Sequence, residues 1–437
     1  MPQSGISKLD LKRKNRATML HLLKDRGPMS RKDIADELGL TRAAVTILTN
    51  EMIQNGVLCE LGEEKNVVNI TRGRKKILLD LCYDNKYALG VLIDNYEMCV
   101  GLANLKGQIL HSKVINITNI HDYHYVIARI RDELSTIYEL NAGIAQDIIG
   151  IGVSIQDYVQ SDKLLCLRFP KKEMLEELDR IKEEYHLPML LENNVRALAI
   201  AERDFNPDKS LKRDNMLFFQ MDPMIAAVLI TDGDIYTGAN NRALDIRHTV
   251  VYLNGGETCS CGKQGCLQTV FSHDTIIRKI KSVYSAKKTA VLYEKTKGNI
   301  DNISIHNIRE CALLYPDGVV GQIYLHLLSS SGLIFSNLIT LFDPDQVVLY
   351  GAAFENQLFR NKVMEIISEI HSKANNRIAE RIKISMLNRS NKFLGACALV
   401  FKSQYFDRGG LASPAPAPEA PEPEEASSHP ESTLSKG

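Results

Sequence analysis

Short apolar runs of the β type, YALGVLI, DIIGIGVSI, MLFFQM, AAVLITDG and DQVVLYG, recur between about Asp84 and Phe406 and alternate with helical stretches. Strands alternating with helices predict an α/β fold. A chain of 437 residues is too long for one small core and is expected to divide into two or three domains. Two segments fall outside the alternation, which gives an expected division into residues 1–81, 82–407 and 408–437. The last of these is mostly Pro, Ala, Ser and Glu with almost nothing to bury, and it is expected to be a disordered tail.

Composition narrows the partners. The 53 basic side chains balance 53 acidic ones, so a nucleic acid or a membrane would have to be met by a local patch. The N-terminus MPQSGISKLDLKRKN is polar and does not read as a signal peptide, and no apolar run is expected to approach the roughly 18 residues of a membrane span. The expectation is a cytoplasmic protein with no membrane partner, whose nine cysteines stay reduced. Six of them, Cys59, Cys82, Cys99, Cys166, Cys311 and Cys397, are isolated and read as buried small hydrophobes.

The basic patch lies near the N-terminus, where residues 8–81 carry 15 Lys or Arg against 10 Asp or Glu, a net of +5. Within SRKDIADELGLTRAAVTILTNEMIQNG, Ser30 and Asp33 resemble a capping box, Ile34, Ala35 and Leu38 form an inward face, and Gly39 stops the helix. Thr41 caps a second helix with Val45, Leu48 and Met52 on one side. Its opposite face is read as Arg42, Ala43, Thr46, Thr49 and Asn50, side chains suited to base edges in a major groove. Ser30 and Arg31 are placed on the same DNA-facing side. An earlier helix over Leu11 to Asp25 supplies a third member of the bundle. The run VLCELGEEKNVVNI then reads as a two-stranded wing, and the chain leaves through TRGRKK, whose Arg72, Gly73, Arg74 and Lys75 suit phosphates or a minor groove. Together these features predict a winged helix-turn-helix; a small helical interaction domain with a basic rim is the alternative.

A second constellation is HTVVYLNGGETCSCGKQGCLQTVFS. Cys259, Cys261 and Cys266 lie in one short loop, and His248, eleven residues before the first, can complete a tetrahedral set. Three thiolates and one imidazole with no open position describe a structural zinc site; clustered free thiols are the other reading.

This stretch resembles the signature of the ROK family of repressors, open reading frames and kinases, in which a glycine-histidine pair precedes C-x-C-G-x-x-G-C-L-E. Further matches are LPMLLENN, DGDIYTGAN, ALDIRH, SSGLIFSNLITLFDPDQVVLYG and LGACALV, so the likeness runs from about residue 12 to 402. It implies a two-lobed, actin-like (ribonuclease-H-like) domain with structural zinc, assembled as homodimers or dimers of dimers. A winged helix ahead of it resembles the family's transcriptional regulators.

The resemblance leaves open an enzyme or a regulator, and the residues that would handle ATP separate the two. The family's first phosphate loop, D-x-G-G-T, is matched by Leu92, Ile93, Asp94, Asn95 and Tyr96, and its second by MDPMIAAV, which has no glycine. The aspartate that serves kinases as base is matched by Asn194, and an amide is no general base. No catalytic residue is therefore assigned. The family's sugar contacts fall on Asn193, Asn194, Asp245, His248 and Gln268, which can still bind hydroxyls. Amides in place of carboxylates suit a ligand carrying negative charge; a vestigial pocket is the alternative. The expected function is sequence-specific transcriptional regulation, most simply repression, with palindromic double-stranded operator DNA and a sugar or sugar derivative as partners. A ligand-independent regulator and, less favoured, an ATP-dependent sugar kinase are the competing readings.

Overall fold

The computed structural model describes residues 8–63, 76–94, 97–118, 122–156, 158–160, 163–165, 171–208, 214–221, 224–253, 256–370 and 378–411. Three helices, α1 (Lys8–Arg26), α2 (Arg31–Leu38) and α3 (Arg42–Gln54), pack through Met19, Leu20, Leu23, Ile34, Val45, Leu48 and Met52. Gly39 ends α2 at a φ of 63°, the left-handed conformation that lets the chain turn tightly into α3. A small sheet completes this unit, built from β1 (Met29–Ser30), β2 (Leu58–Glu63) and β3 (Ile77–Leu81) in the order β1-β3-β2.

That sheet corrects the expected wing. The strand that pairs with Leu58–Glu63 is Ile77–Leu81, seven residues beyond the run that ends at Ile70; residues 64–75 lie outside the described residues. The alternation in ILLDL explains it: Leu79 and Leu81 are buried beside Val57 and Leu58. Arg72, Gly73, Arg74 and Lys75 lie outside the described residues.

The body contains two five-stranded sheets of one topology. The first holds β4 (Tyr87–Ile93), β5 (Glu97–Asn104), β6 (Ile109–Asn116), β7 (Ile148–Ile155) and β10 (Met189–Asn193), in the order β10-β7-β4-β5-β6; a short ribbon, β8 (Tyr158–Gln160) and β9 (Lys163–Leu165), precedes β10. The second holds β11 (Met216–Gln220), β12 (Ala226–Thr231), β13 (Asp234–Ile235), β14 (Gln346–Tyr350) and β15 (Ile382–Ile384), in the order β13-β12-β11-β14-β15. In both, three successive strands pair antiparallel and two more add in parallel beside the first. This duplicated pattern is the two-lobed, actin-like arrangement expected above.

Alternate residues of β4 serve two cores. Leu89, Val91 and Ile93 face α4 (Tyr123–Leu140) and α5 (Lys171–Tyr185), while Ala88 and Leu92 face α6 (Asn194–Phe205) and the helix Leu394–Phe401. The core around α6 is continuous from Met19 in α1 to Phe218 in the second lobe. The DNA-binding-type unit is therefore packed onto the body and not merely tethered to it.

Three expectations change. The tail was to begin at residue 408, yet Gly409 accepts a hydrogen bond from Arg16 Nε at 2.8 Å and Gly410 packs against Val57 and Leu20; residues 412–437 lie outside the described residues. The helix Val319–Phe342 is long and apolar enough to cross a membrane by composition, contrary to the expectation, but half of its apolar window is buried in the second lobe. Cys99, Cys311 and Cys397 are buried as expected, whereas Cys59 and Cys82 are only half-buried and Cys166 lies outside the described residues.

Candidate DNA-binding face, metal cluster and interlobe pocket

Helix α3 exposes Arg42, Ala43, Thr46, Ile47 and Asn50. Thr41 caps its start by accepting from Ala44 N at 3.2 Å. Thr49 is not on this face: it is fully buried, its hydroxyl donating to Thr46 O and accepting from Arg31 Nε at 3.1 Å. The expectation failed because residue 49 sits one position after Leu48, at the edge of the buried stripe and not opposite it. Ser30 is also buried, as the cap of α2. Arg31 bonds Thr49, Asn50 Oδ1 (3.1 Å) and Glu60 of the wing (3.0 Å), so it joins α2, α3 and the wing. Of the residues placed on the DNA side, Ser30, Arg31 and Thr49 therefore organise the surface from behind. Ile47, which the sequence reading passed over, is on it and 67% exposed.

The four expected metal ligands do come together. The ligand atoms of His248, Cys259, Cys261 and Cys266 all lie within 4.8 Å of one another and can hold a metal ion. Cys261 and Cys266 sulfurs are 3.6 Å apart, and Cys259 Sγ is 3.4 Å from His248 Nδ1. A tetrahedron with metal–sulfur bonds of about 2.3 Å and a metal–nitrogen bond of about 2.0 Å has edges near those lengths. The loop closes this tightly because Gly265 adopts a φ of 69° where a Cβ would stand 2.0 Å from Tyr252 O. Burial resists ionisation of Cys259, but hydrogen bonds from Cys261 and His248 hold its thiol down at about 6; Cys266, buried beside the other two thiols, is pushed up to about 12. A metal cation held by these sulfurs would favour their thiolate forms.

The interlobe pocket lies at the carboxyl ends of β7, β10 and β11. Its cavity, about 90 Å³, is lined by Gln156, Asn193, Asn194, Arg196, Gln220 and Asp245 among others, and Asn194 and Gln220 also line an adjoining cleft of about 630 Å³. Asn193 caps α6, its Oδ1 accepting from Val195 N at 3.0 Å. Arg196 donates to the side chain and carbonyl of Asn241, and Arg247 Nε donates to Asp245 at 3.0 Å. Three buried amide oxygens, Gln156 Oε1, Asn194 Oδ1 and Gln220 Oε1, have no hydrogen-bond partner among the described residues. They all border the pocket, so a ligand with several donors would satisfy them.

Of the five expected sugar contacts, Asn193, Asn194 and Asp245 border the cavity, and His248 and Gln268 do not. Gln268 Nε2 instead donates to Cys259 Sγ (3.0 Å) and Ser260 Oγ (3.2 Å). His248 stands between the two sites, with Nδ1 toward the cysteines and Nε2 3.9 Å from Asp245 Oδ2. Gln156 and Gln220 were not among the expected contacts. Each sits at the end of a buried apolar run, a position where open α/β sheets place ligands.

On the nucleotide side, Lys392 Nζ pairs with Glu97 (2.6 Å) and Asp94 (3.4 Å), filling with a protein cation the place where the first phosphate loop was sought. Asn95 and Tyr96 lie outside the described residues.

Comparison with known proteins agrees with this architecture. The chain is 24% identical over 401 residues to the xylose repressor of Caldicellulosiruptor bescii, covering 89% of this chain and 96% of that one. It is 24% identical over 366 residues to the DNA-binding transcriptional dual regulator NagC of Escherichia coli, covering 81% and 84%. Among solved structures, a ROK family transcriptional regulator homologous to E. coli MLC superposes with a TM-score of 0.69 at 22% identity, covering 91% of this chain and 97% of the other. A ROK family glucokinase from Streptomyces griseus, bound to glucose and AMPPNP, gives 0.58 at 21% identity over 72% of this chain and 98% of its own. Residues 89–403 match the ROK family, and with the duplicated sheets and the His–Cys cluster already in place, the chain belongs to it.

Proposed function

We infer that this protein is a sugar-responsive transcriptional repressor without kinase activity. One observation carries the reading: the residue at the kinase-base position, Asn194, is an amide with a buried, unpartnered oxygen in a cleft packed onto a helix-turn-helix unit. An amide there receives hydrogen bonds but cannot remove a proton from a hydroxyl. The relatives named as a repressor and as a transcriptional regulator support the same reading over most of the chain's length.

Operator DNA meets the exposed face of α3 in the major groove, while Arg42 and the basic stretch Arg72 to Lys75 engage phosphates and a minor groove. A homodimer, or a dimer of dimers, presents two such faces to a palindromic site in the cytoplasm. The effector is a sugar or sugar derivative held by Asn193, Asn194, Asp245, Gln156 and Gln220. The neighbouring Arg196 and Arg247 favour one bearing a negative charge. Zinc fits the cluster of His248, Cys259, Cys261 and Cys266, where it supplies structural cross-linking; Gln268 and the second face of His248 then hold that loop beside the pocket.

Selection of the full chain on random DNA, repeated with neutral sugars, sugar phosphates and sugar acids, tests the reading. An inverted repeat whose affinity changes with one sugar class is expected, with no hexose phosphorylation from magnesium ATP. Failure to select a sequence, or ATP turnover dependent on a hexose, would overturn it.

A further inference from the structure

The spacing of Ala43, Thr46, Ile47 and Asn50 puts them on one face of α3, and all four are exposed. Ile47 takes no part in the core, which is served by Val45, Leu48 and Met52. A β-branched residue there is not chosen for helix propensity either. Thr46 Oγ1 is engaged with Arg42 O at 2.8 Å, which leaves its methyl as the group not bound to the helix. The centre of the surface is therefore apolar, made of the Ala43 and Thr46 methyls and the Ile47 side chain. Around it stand Arg42 and Asn50, the latter steadied by Arg31.

In a major groove the base edges present hydrogen-bond donors and acceptors, except at C5 of the pyrimidines, where thymine carries a methyl group and cytosine only a hydrogen. An isoleucine set against a donor or acceptor would strip it of water with nothing in return, whereas against a methyl it removes apolar surface from water. We propose that Ile47 is a specificity-determining residue that reads a thymine methyl in each operator half-site. The inference rests on the DNA-binding reading above.

The test uses the full chain and the site it selects from random DNA, with each thymine replaced in turn by deoxyuridine, which lacks only the methyl. Wild-type affinity is expected to fall about fourfold at one thymine of each half-site, the equivalent of about 0.8 kcal/mol for one buried methyl. Ile47→Ala should lose affinity for the thymine site and become indifferent to uracil there, and Ile47→Val should lie between. Because Ile47 is exposed, both variants should keep the wild-type melting temperature. Sequence selection with indifference to every uracil, or Ile47→Ala retaining the full uracil penalty, would overturn this inference alone. Selection of no sequence would overturn the DNA-binding reading with it.

Discussion

Gln220 ends a fully buried strand yet leaves its Oε1 without a partner, at an ordinary cost of about 1–3 kcal/mol for an unsatisfied buried acceptor. Structures keep such a cost where a ligand removes it. Gln220→Met, which preserves the shape and deletes the acceptor, should therefore hold or raise the melting temperature while weakening effector binding tenfold or so, as read by calorimetry and scanning fluorimetry. A loss of stability without a loss of effector affinity would make Gln220 structural. The pocket was only partly legible in the sequence for a related reason. Asn194 and Asp245 stand in motifs, whereas Gln156 and Gln220 acquire their meaning from the fold, which brings the ends of separate strands to one edge. Thr49 shows the opposite limit: its polarity suggests the DNA face, but Arg31, eighteen positions earlier in the chain, satisfies its hydroxyl inside.

At the scale of elements, α2, α3 and the wing divide into residues that build the surface and residues that present it. Ser30→Ala removes the cap of α2 and should cost about 1 kcal/mol in urea unfolding while leaving the salt dependence of operator binding unchanged. Arg42→Ala should leave stability alone and reduce the slope of log affinity against log salt by about 1, if Arg42 meets one phosphate. The helices were readable from their caps and 3.6-residue spacing. The wing partner was not, because ILLDL lies beyond an interval whose length no local pattern sets. The metal loop follows a similar division: four ligands in sequence order announced it, but the turn of Gln268 toward Cys259 did not. Stripping metal with a chelator should loosen the loop that carries His248 and Gln268 and reduce effector affinity before the N-terminal unit melts, as followed by calorimetry and near-ultraviolet dichroism. Unchanged effector binding in metal-free protein would separate the cluster from the pocket.

Across the whole molecule, α6 joins the two functional ends. Its N-terminus carries Asn193 and Asn194 in the pocket, and its C-terminus carries Arg203 and Asp204, where Lys24 of α1 meets Asp204 Oδ1 at 3.0 Å. Arg203 also bonds Gly233 O in the turn before β13, so the second lobe reaches the same junction. Burial works against the Asp204 charge, but Arg203 and Lys24 hold its carboxyl well below the usual carboxylate range. A depressed value means that the contact contributes fully above about pH 4 and is lost only as pH falls through the lower folded value. The contribution of Asp204 to docking of the N-terminal unit should thus be insensitive to pH between about 5 and 8. Asp204→Asn leaves two buried cations without a carboxylate and should destabilise by about 3–5 kcal/mol, whereas Lys24→Met leaves Arg203 paired and should cost less. In the milder variant the ratio of operator affinities with and without effector should move toward 1 from the 5- to 150-fold range typical of roughly 1–3 kcal/mol of coupling. If Lys24→Met keeps the wild-type ratio while its operator affinity is normal, the signal does not pass through this end of α6, and the continuous core from Met19 to Phe218 becomes the route to probe.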